Sequence, residues 1–342
     1  MQNTAENVVE NQAACDELLR IDDLYVSFFT PAGEVRAVDG ISYTLRRGEV
    51  LGIVGESGSG KSVSVNALMR MVEHPGRVKG GSITFDGKDI FSLTKQQMLG
   101  LRGKEMGMIF QDPMTSLNPV YTIGNQLMEP LRRHMGMARD QAYARAVEML
   151  TLVGVNNPEQ RMKQYPHEFS GGMRQRAMIA MTLSCQPKLL IADEPTTALD
   201  VTIQAQILGL MKELRAKINS AIILITHDLG IVSDLCDKVV VMYGGRIVER
   251  ADIRTIFYRS AHPYTQGLLR CLPRLDSGDK EPLVPIEGTP VDQLALPKGC
   301  AFAPRCEHCM KVCLSQQPPI FDFGEGHASA CWLHWKDRGE DA

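Results

Sequence analysis

The sequence has no long apolar run, no long basic run and no recognisable secretion signal. No stretch of the 342 residues comes close to the roughly 18 apolar residues that a membrane-spanning helix needs. We therefore expect membrane contact only through partner subunits. The 37 basic and 40 acidic residues give a formal net charge of −3. Because no basic run could follow a phosphate backbone, nucleic acid is not an expected partner.

The amino-terminal segment, MQNTAENVVENQAACDELL, is polar and acidic where a signal peptide is basic and then apolar. We expect residues 1–18 to form a disordered leader. Without export, the nine cysteines of the chain should stay mostly reduced in the cytosol. Disulfides are therefore disfavoured.

Short apolar runs alternate with helix-like segments along much of the chain. This alternation is typical of buried parallel strands and their crossover helices. The clearest runs are Val50–Val54, Met106–Phe110, Leu189–Ala192, Ala221–Ile225 and Val239–Met242. With 44% hydrophobic residues, the chain can bury a large core and a smaller one. The pattern predicts an α/β fold with an open, mostly parallel sheet.

Two further subdomains are predicted within residues 19–250. Residues 24–28, 40–45 and 81–87 are rich in β-formers and predict an antiparallel β subdomain beside the core. A helical subdomain is expected at about residues 112–185, where apolar residues repeat at helical spacing and the repeat ends at a glycine. The repeating residues are Ala142, Ala146, Leu150 and Val153, and the glycine is Gly154.

The composition changes from about Arg250 onward. Prolines become frequent there, and a group of cysteines follows them. We expect a small carboxyl-terminal extension with a cysteine cluster over residues 251–342.

The first apolar run leads into a glycine-rich loop and then into a helix-compatible segment. The loop comprises Gly55, Glu56, Ser57, Gly58, Ser59, Gly60, Lys61 and Ser62, which matches the pattern G-x-x-x-x-G-K-[ST]. Glycines let the backbone wrap a phosphate, Lys61 can neutralise the outer phosphates, and Ser62 can hold Mg²⁺. A glycine turn without a ligand is the alternative, but the flanking strand and helix favour a phosphate site.

Polar residues follow three other apolar runs. Asp193 and Glu194 end the third run, where Asp193 suits Mg²⁺ and Glu194 suits a general base for the attacking water. Gln111 and His227 end the second and fourth runs and could orient water or contact a terminal phosphate. Each residue alone would usually be structural. Because ligands of open α/β folds bind at the carboxyl ends of strands, their convergence predicts nucleotide hydrolysis.

A second candidate anion site precedes the apolar segment Ala177–Leu183. Ser170, Gly171, Gly172 and Met173 read as a helix start with a serine cap and close-approach glycines. One nucleotide rarely needs two such sites from one chain. A flexible hinge is the alternative interpretation.

Taken in order, these motifs resemble the nucleotide-binding subunits of ATP-binding-cassette (ABC) transporters. The resemblance runs from about Leu19 to Val248 and rests on GESGSGKS, Gln111, FSGGM, KLLIADEP, Asp200 and His227. It implies ATP and Mg²⁺ as ligands, with Gln111 as a further Mg²⁺ ligand. It also implies a head-to-tail pair of cassettes, in which Ser170 to Met173 and Asp200 act on the nucleotide of the other subunit.

The same resemblance assigns further roles and shows two departures. Phe28 is the expected aromatic partner of adenine, and His227 is expected to fix the terminal phosphate. The signature has Phe169 where leucine is commonest and Met173 where glutamine is commonest. Since the anion contacts come from serine and backbone, we expect reduced affinity at most.

A finer resemblance covers nearly the whole chain. The segments FQDPMTSLNP (110–119), QYPH (164–167), PTTALDVTIQ (195–204) and HPYT (262–265) are similar to dipeptide and oligopeptide importer ATPases, above all the D-type subunit. This implies an F-type partner ATPase, two membrane permeases and an extracytoplasmic peptide-binding protein. It also implies a peripheral location on the cytoplasmic face of the inner membrane.

Two alternatives to peptide import remain open at this stage. Related importers move nickel, so another small solute is the nearest alternative. A soluble cassette ATPase acting on ribosomes or DNA is an alternative of a different class. The ribosome-acting proteins carry two cassettes in one chain, and the DNA-repair cassettes carry long insertions that are absent here.

The cysteine cluster has two candidate ligands. Cys300, Cys306, Cys309 and Cys313 are separated by five, two and three residues, and Cys331 follows after a further seventeen. Four thiolates can hold zinc or a [4Fe–4S] cluster. The resemblance to D-type subunits implies a [4Fe–4S] cluster on Cys300, Cys306, Cys313 and Cys331, with zinc as the alternative and Cys309 as an extra thiol that could replace a ligand. Small apolar roles are expected for Cys15, Cys185, Cys236 and Cys271.

Overall fold

The computed structural model describes residues 16–112, 116–196, 200–217, 220–272 and 285–337. Most of the expected leader, including Cys15, lies outside these residues. The chain divides into two compact units, each built from several segments. Unit one comprises residues 1–18, 45–49 and 92–225, and unit two comprises residues 19–44, 50–91 and 226–342.

The strands are numbered in chain order. They are β1 (Glu17–Thr30), β2 (Gly33–Arg46), β3 (Val50–Val54), β4 (Gly76–Phe85), β5 (Lys88–Asp89), β6 (Met106–Ile109), β7 (Leu189–Asp193), β8 (Ala221–Thr226), β9 (Lys238–Tyr243), β10 (Arg246–Asp252), β11 (Phe321–Gly324) and β12 (His327–Ser329).

The helices are numbered in the same way. They are α1 (Lys61–Leu68), α2 (Lys95–Leu101), α3 (Ile123–Met135), α4 (Arg139–Leu152), α5 (Pro158–Arg161), α6 (Gly171–Leu183), α7 (Val201–Lys217), α8 (Leu229–Leu235), α9 (Ile253–Arg259), α10 (Pro263–Arg270) and α11 (Lys311–Ser315). Short 3₁₀ helices occur at Pro166–Glu168, Ala303–Arg305 and Trp332–Asp337. Within the described residues, none of these helices is both long and apolar enough to cross a bilayer.

Unit two contains the predicted antiparallel β subdomain. Its strands run in the order β2-β1-β4-β5, and β1 pairs antiparallel with β4. The register places Leu19 opposite Phe85 and Ile21 opposite Ile83. All four side chains are fully buried. The three β-rich segments of the sequence lie in or overlap β1, β2 and β4, as predicted. The buried pairs recur at every second residue because alternate residues of a strand face the same side.

A second group of strands in unit two is mixed. Strand β3 pairs parallel with β9, and β9 pairs antiparallel with β10. Strand β12 then pairs with β10, and β11 pairs with β12. The carboxyl-terminal extension thus adds two strands beside β10. Its prolines and cysteines gave no period-2 pattern from which this pairing could be predicted.

Unit one contains three parallel strands in the order β6-β7-β8 and the predicted helical subdomain. Met108 pairs with Ile191, and Ile191 pairs with Ile223, so all three strands are buried. Strand β6 ends at Ile109, one residue earlier than the sequence predicted, and Phe110 is 37% exposed.

The helical subdomain follows the spacing of its apolar residues. Ala142, Ala146 and Leu150 of α4 are fully buried, as their helical spacing predicted. Thr122 caps the start of helix α3, because its side chain accepts a hydrogen bond from the backbone N–H of Asn125.

A buried carboxylate ties the carboxyl-terminal region to β10. Glu249 is fully buried, and its carboxylate accepts hydrogen bonds from the backbone N–H groups of Ala261 (2.6 Å) and His262 (3.0 Å). The ring Nε2 of His327 lies 2.9 Å from the same carboxylate. Burial lowers the pKa of His262 to about 3. His262 is therefore neutral, and its Nδ1 accepts the N–H of Tyr264 at the start of α10.

We expect Glu249→Ala to lower the free energy of unfolding by about 3 kcal/mol, because two buried N–H groups lose their acceptor. Urea denaturation would measure the change. Glu307→Ala is the matched control, since Glu307 forms only an exposed ion pair with Arg270 at 3.3 Å and should cost under about 1 kcal/mol. Equal losses in the two variants would contradict a structural role for the Glu249 network.

Candidate functional site

The glycine-rich loop joins β3 to α1 in unit two with a backbone that only glycine adopts easily. Gly58 and Gly60 have φ values of 77° and 98°. A Cβ atom on Gly60 would lie 2.2 Å from the carbonyl oxygen of Ala37, so a side chain is excluded there. The residue types of the loop therefore permit the tight backbone that a phosphate cradle requires.

Lys61 places its ammonium group inside the loop. The residue is 5% exposed, and Nζ donates hydrogen bonds to the carbonyl oxygens of Gly55 (2.7 Å) and Glu56 (2.9 Å). Gly60, the residue before α1, supplies no side-chain cap. The hydroxyl oxygen of Ser59 is buried and has no hydrogen-bond partner. A buried positive charge and an uncapped helix start favour an anion at this loop.

Unit one brings Gln111 and Glu194 together. The side-chain amide of Gln111 donates to Oε2 of Glu194 at 3.1 Å. Glu194 has a φ of 46°, and its backbone N–H donates to Ile225 at 3.0 Å. Asp193, at the end of β7, is 7% exposed. The left-handed turn at Glu194 therefore follows the buried Asp193 directly.

Oxygen donors suited to Mg²⁺ occur in both units. Asp193 and Gln111 lie in unit one, and Ser62 lies in unit two at the second residue of α1. A carboxylate, an amide and a hydroxyl are all hard oxygen ligands of the kind Mg²⁺ accepts. The residue types therefore fit the ion. Their shared role as ligands stays a prediction.

Phe28 and His227 lie in unit two. His227 follows β8 and is exposed. Phe28 is half-buried near the end of β1, and its ring occupies the space that a side chain on Gly76 would need. The next residue, Phe29, is 44% exposed, with the guanidinium of Arg77 5.7 Å from its ring centre. The adenine-stacking role of Phe28 and the phosphate role of His227 stay predictions.

The segment Ser170–Met173 forms the start of α6 in unit one. The hydroxyl of Ser170 accepts a hydrogen bond from the N–H of Met173 at 3.3 Å. A Cβ on Gly172 would lie 2.9 Å from Ile203 of α7, so this glycine also serves helix packing. Phe169 is 2% exposed. Its departure from the commonest signature is therefore a change in the core rather than in an anion contact.

Asp200 begins helix α7. Its carboxylate accepts the N–H of Ile203 at 2.9 Å, which is the geometry of a helix cap. Residues 197–199 of the same motif lie outside the described residues. The action of Asp200 on a second subunit stays a prediction.

The cysteine cluster of unit two is compact. The N–H of Cys300 donates to the carbonyl of Cys313 at 2.8 Å. Burial raises the pKa of the Cys300 thiol to about 11, and neighbouring Cys313 and Cys306 add to the shift. Burial also raises the pKa of Cys331 to about 12, with contributions from Cys300, Cys306 and Cys313. The four cysteines that the resemblance assigns therefore lie near one another.

The same region shows no preformed metal site. Within the described residues, no group of three or more His, Cys, Asp or Glu side chains is arranged to hold a metal ion. None of the eight described cysteines forms a disulfide. Cys309 is exposed, whereas Cys313 is buried. The donor types suit zinc or iron and sulfide, but the side-chain positions do not form a site for either.

Residues outside the sequence motifs also contact the glycine-rich loop, and these contacts were not predicted from the sequence. Arg305 pairs with Glu56, and the hydroxyl of Tyr264 accepts the N–H of Glu56. Tyr264 belongs to the HPYT segment, to which the sequence assigned no role. In the sequence, Arg305 lies between Cys300 and Cys306, and this position does not indicate that it contacts Glu56.

Comparison with known proteins assigns the chain to a family. Residues 38–197 match the family model "ABC transporter", and residues 248–313 match "Oligopeptide/dipeptide transporter, C-terminal region". The oligopeptide transport ATP-binding protein OppD of Salmonella typhimurium is 53% identical over 328 residues, which cover 96% of this chain and 97% of that protein. This chain belongs to the ABC transporter ATPases. The dipeptide transport ATP-binding protein DppD of Bacillus subtilis is 50% identical over 328 residues, covering 96% of this chain and 97% of DppD.

Solved structures confirm the ABC cassette fold. The cbiO1 protein from Clostridium perfringens, described as part of the ABC transporter complex cbiONQ, is 29% identical with a TM-score of 0.61 and covers 71% of this chain and 92% of its own. A dimeric ATP-binding cassette in a post-hydrolysis state with ADP and Pi has a TM-score of 0.62 at 23% identity, covering 69% of this chain and 99% of its own. The predicted fold class is therefore confirmed.

We expect Glu194→Gln to reduce ATP hydrolysis by about 10²- to 10⁴-fold and to leave ATP binding intact, because the amide cannot take a proton from water. Steady-state phosphate release and equilibrium ATP binding would measure the two effects. Glu105→Gln is the matched control, since Glu105 forms a surface pair with Lys188 at 3.1 Å. An unchanged turnover rate in Glu194→Gln would remove Glu194 from the role of general base.

Proposed function

We propose that this protein hydrolyses ATP to power the import of dipeptides or oligopeptides through a pair of membrane permeases. The observation that carries the proposal is the match of residues 248–313 to the carboxyl-terminal region of oligopeptide and dipeptide transporters. Relatives named for both peptide classes cover 96% of the chain at 50% identity or more, which also supports it. Nickel or another small solute is the alternative cargo.

The residues of the chain have separate tasks in this proposal. The glycine-rich loop and Lys61 bind the ATP phosphates, and Phe28 stacks on adenine. Glu194 polarises the attacking water, while the amide of Gln111 orients its carboxylate through the 3.1 Å hydrogen bond. His227 contacts the terminal phosphate. Mg²⁺, held by Ser62, Asp193 and Gln111, would neutralise charge on the phosphates.

The proposal includes a second cassette. Ser170 to Met173 and Asp200 would act on the nucleotide of an F-type partner ATPase in a head-to-tail heterodimer. Helix α6 begins at this segment, and the partial positive charge of a helix start attracts anions. Two permeases and an extracytoplasmic peptide-binding protein complete the importer, which places this subunit peripherally on the cytoplasmic face of the inner membrane.

We also propose that Cys300, Cys306, Cys313 and Cys331 bind a [4Fe–4S] cluster, with zinc as the alternative. The backbone hydrogen bond from Cys300 to Cys313, at 2.8 Å, brings two of these residues together and supports this ligand set. Four thiolates supply the donors that such a cluster uses. Because the raised pKa values mark protonated thiols, binding must release protons and draw the side chains together.

Transport substrate can be tested with the assembled importer and its cognate binding protein in vesicles. We expect dipeptides or longer peptides to stimulate ATP hydrolysis and to accumulate inside, whereas Ni²⁺ does neither. The Glu194→Gln importer is the control for uptake that does not depend on hydrolysis. Stimulation by Ni²⁺ alone would replace peptide with metal as cargo, and stimulation by ribosomes or DNA would contradict a transport role.

Cluster binding can be tested by iron, acid-labile sulfide and zinc analysis after anaerobic purification. We expect about four irons and four sulfides per chain. Cys306→Ser should lose them, and the matched Cys309→Ser variant should retain them. Zinc without sulfide would favour the alternative ligand, and loss in Cys309→Ser instead would make Cys309 a ligand.

A further inference from the structure

Three side chains from the carboxyl-terminal region hold the glycine-rich loop from outside. Arg305 pairs with the Glu56 side chain, Tyr264 binds the Glu56 backbone, and Gln293 binds the Gly58 backbone. All of these residues belong to unit two. They contact the half of the loop that precedes Lys61, and none of them belongs to an ATP-binding motif.

Arg305 makes the most demanding of these contacts. Its side chain is only 4% exposed, and its two terminal nitrogens donate to the two oxygens of Glu56 at 2.6 and 3.0 Å. Its other hydrogen bonds go to the carbonyls of Glu287 (2.9 Å) and Ile286 (3.2 Å). The hydrogen bond to Glu56 raises the pKa of Arg305 above its already high value. This fork geometry fixes the direction of the Glu56 carboxylate, which a point charge such as lysine cannot do.

The other two contacts act on the backbone itself. The hydroxyl of Tyr264 accepts the N–H of Glu56 at 2.9 Å. The side-chain amide of Gln293 donates to the carbonyl of Gly58. Glu56 is therefore held at its N–H and at its carboxylate, while its carbonyl accepts Lys61 Nζ at 2.9 Å. Fixing these groups limits the rotations available to the residues on either side of Ser57.

The side chains of Tyr264 and Arg305 are themselves held in place by aromatic residues. Tyr264 is fully buried, and its ring centre lies 4.7 Å from that of Tyr243 and 5.3 Å from that of Phe302. The guanidinium of Arg305 lies 5.9 Å from the ring centre of Tyr243. Groups that orient a site are effective only when their own rotamers are fixed by packing. The aromatic residues supply that packing here.

We propose that Arg305 is a positioning residue for ATP binding, which acts through Glu56 to keep the glycine-rich loop in its phosphate-binding conformation. This rests on the phosphate-binding role proposed above for that loop. A loop that spends only part of its time in the competent conformation binds its ligand more weakly by that fraction. The carboxyl-terminal region thus contributes to ATP affinity through the conformation of the loop.

The test is the equilibrium affinity of the full chain for ATP with Mg²⁺ in four variants. Arg305→Lys keeps the charge but loses the fork. Arg270→Lys is the matched control, because Arg270 pairs with Glu307 on the surface of the same region at 3.3 Å. Glu56→Gln removes the charged partner, and Arg305→Lys combined with Glu56→Gln completes a double-mutant cycle.

We expect Arg305→Lys to raise the Kd for ATP roughly tenfold, while Arg270→Lys leaves it unchanged. The Arg305→Lys change should have little further effect in the Glu56→Gln background, because the partner through which it acts is gone. An unchanged Kd in Arg305→Lys would overturn the proposal. So would an equal effect of Arg305→Lys with and without Glu56, since a general loss of stability would act in both backgrounds.

Tyr264→Phe keeps the proposal testable if Arg305→Lys does not fold. It removes only the oxygen that accepts the Glu56 N–H and keeps the buried ring. We expect a raised Kd for ATP in this variant too. An unchanged Kd would count against the proposal that contacts to Glu56 keep the loop in its phosphate-binding conformation. Absence of peptide uptake in vesicles would contradict the proposed cargo without altering these ATP affinities, so the two failures are distinguishable.

Discussion

A loop that wraps a phosphate with its backbone needs conformations that only glycine adopts easily, and residues 55–62 meet this constraint. Gly58 and Gly60 supply the left-handed conformations, and the carbonyl of Ala37 leaves no room for a side chain on Gly60. Within the loop, the N–H of Ser59 donates to the carbonyl of Glu56 at 3.2 Å, whereas the N–H of Glu56 donates to Tyr264. Further support comes from outside the loop. In unit two it comes from strand β3 before the loop, from helix α1 after it, and from side chains of the carboxyl-terminal region.

The sequence predicted the parts of this protein whose pattern follows from periodicity or from a fixed local motif. Ala142, Ala146 and Leu150 are buried because residues about one helical turn apart share a face. The glycine-rich loop lies between strand β3 and helix α1, as its sequence motif requires. The pairing of Gln111 with Glu194 was anticipated only as a shared sheet edge. The direct hydrogen bond depends on the left-handed turn at Glu194, which the residue types at this position do not predict.

What the sequence could not predict depends on contacts between distant segments. Arg305 and Glu56 are separated by 249 positions, and the strands β11 and β12 join β10 without an alternating pattern of their own. From the sequence alone, Glu249 would be expected at the surface as a charged residue. In the structure it is buried, and its carboxylate contacts two backbone N–H groups and the ring of His327. For Arg305 and Glu249, the polar side chain is buried because a specific partner compensates its desolvation, and partner identity is a property of the fold rather than of the segment.

The location of Arg305 gives the carboxyl-terminal region a mechanical connection to the nucleotide loop. Arg305 ends the short 3₁₀ helix Ala303–Arg305, and Cys306 follows it directly. Cys300 lies before the same helix and is hydrogen-bonded to Cys313. A displacement of the cysteine segment therefore cannot leave Arg305 in place unless the short helix deforms. Because the Arg305 side chain is almost wholly buried and all its bonds are directional, such a displacement would be transmitted to Glu56 rather than absorbed by solvent. The segment that matches the carboxyl-terminal region of oligopeptide and dipeptide transporters is thus built into the support of the loop that we propose binds the ATP phosphates.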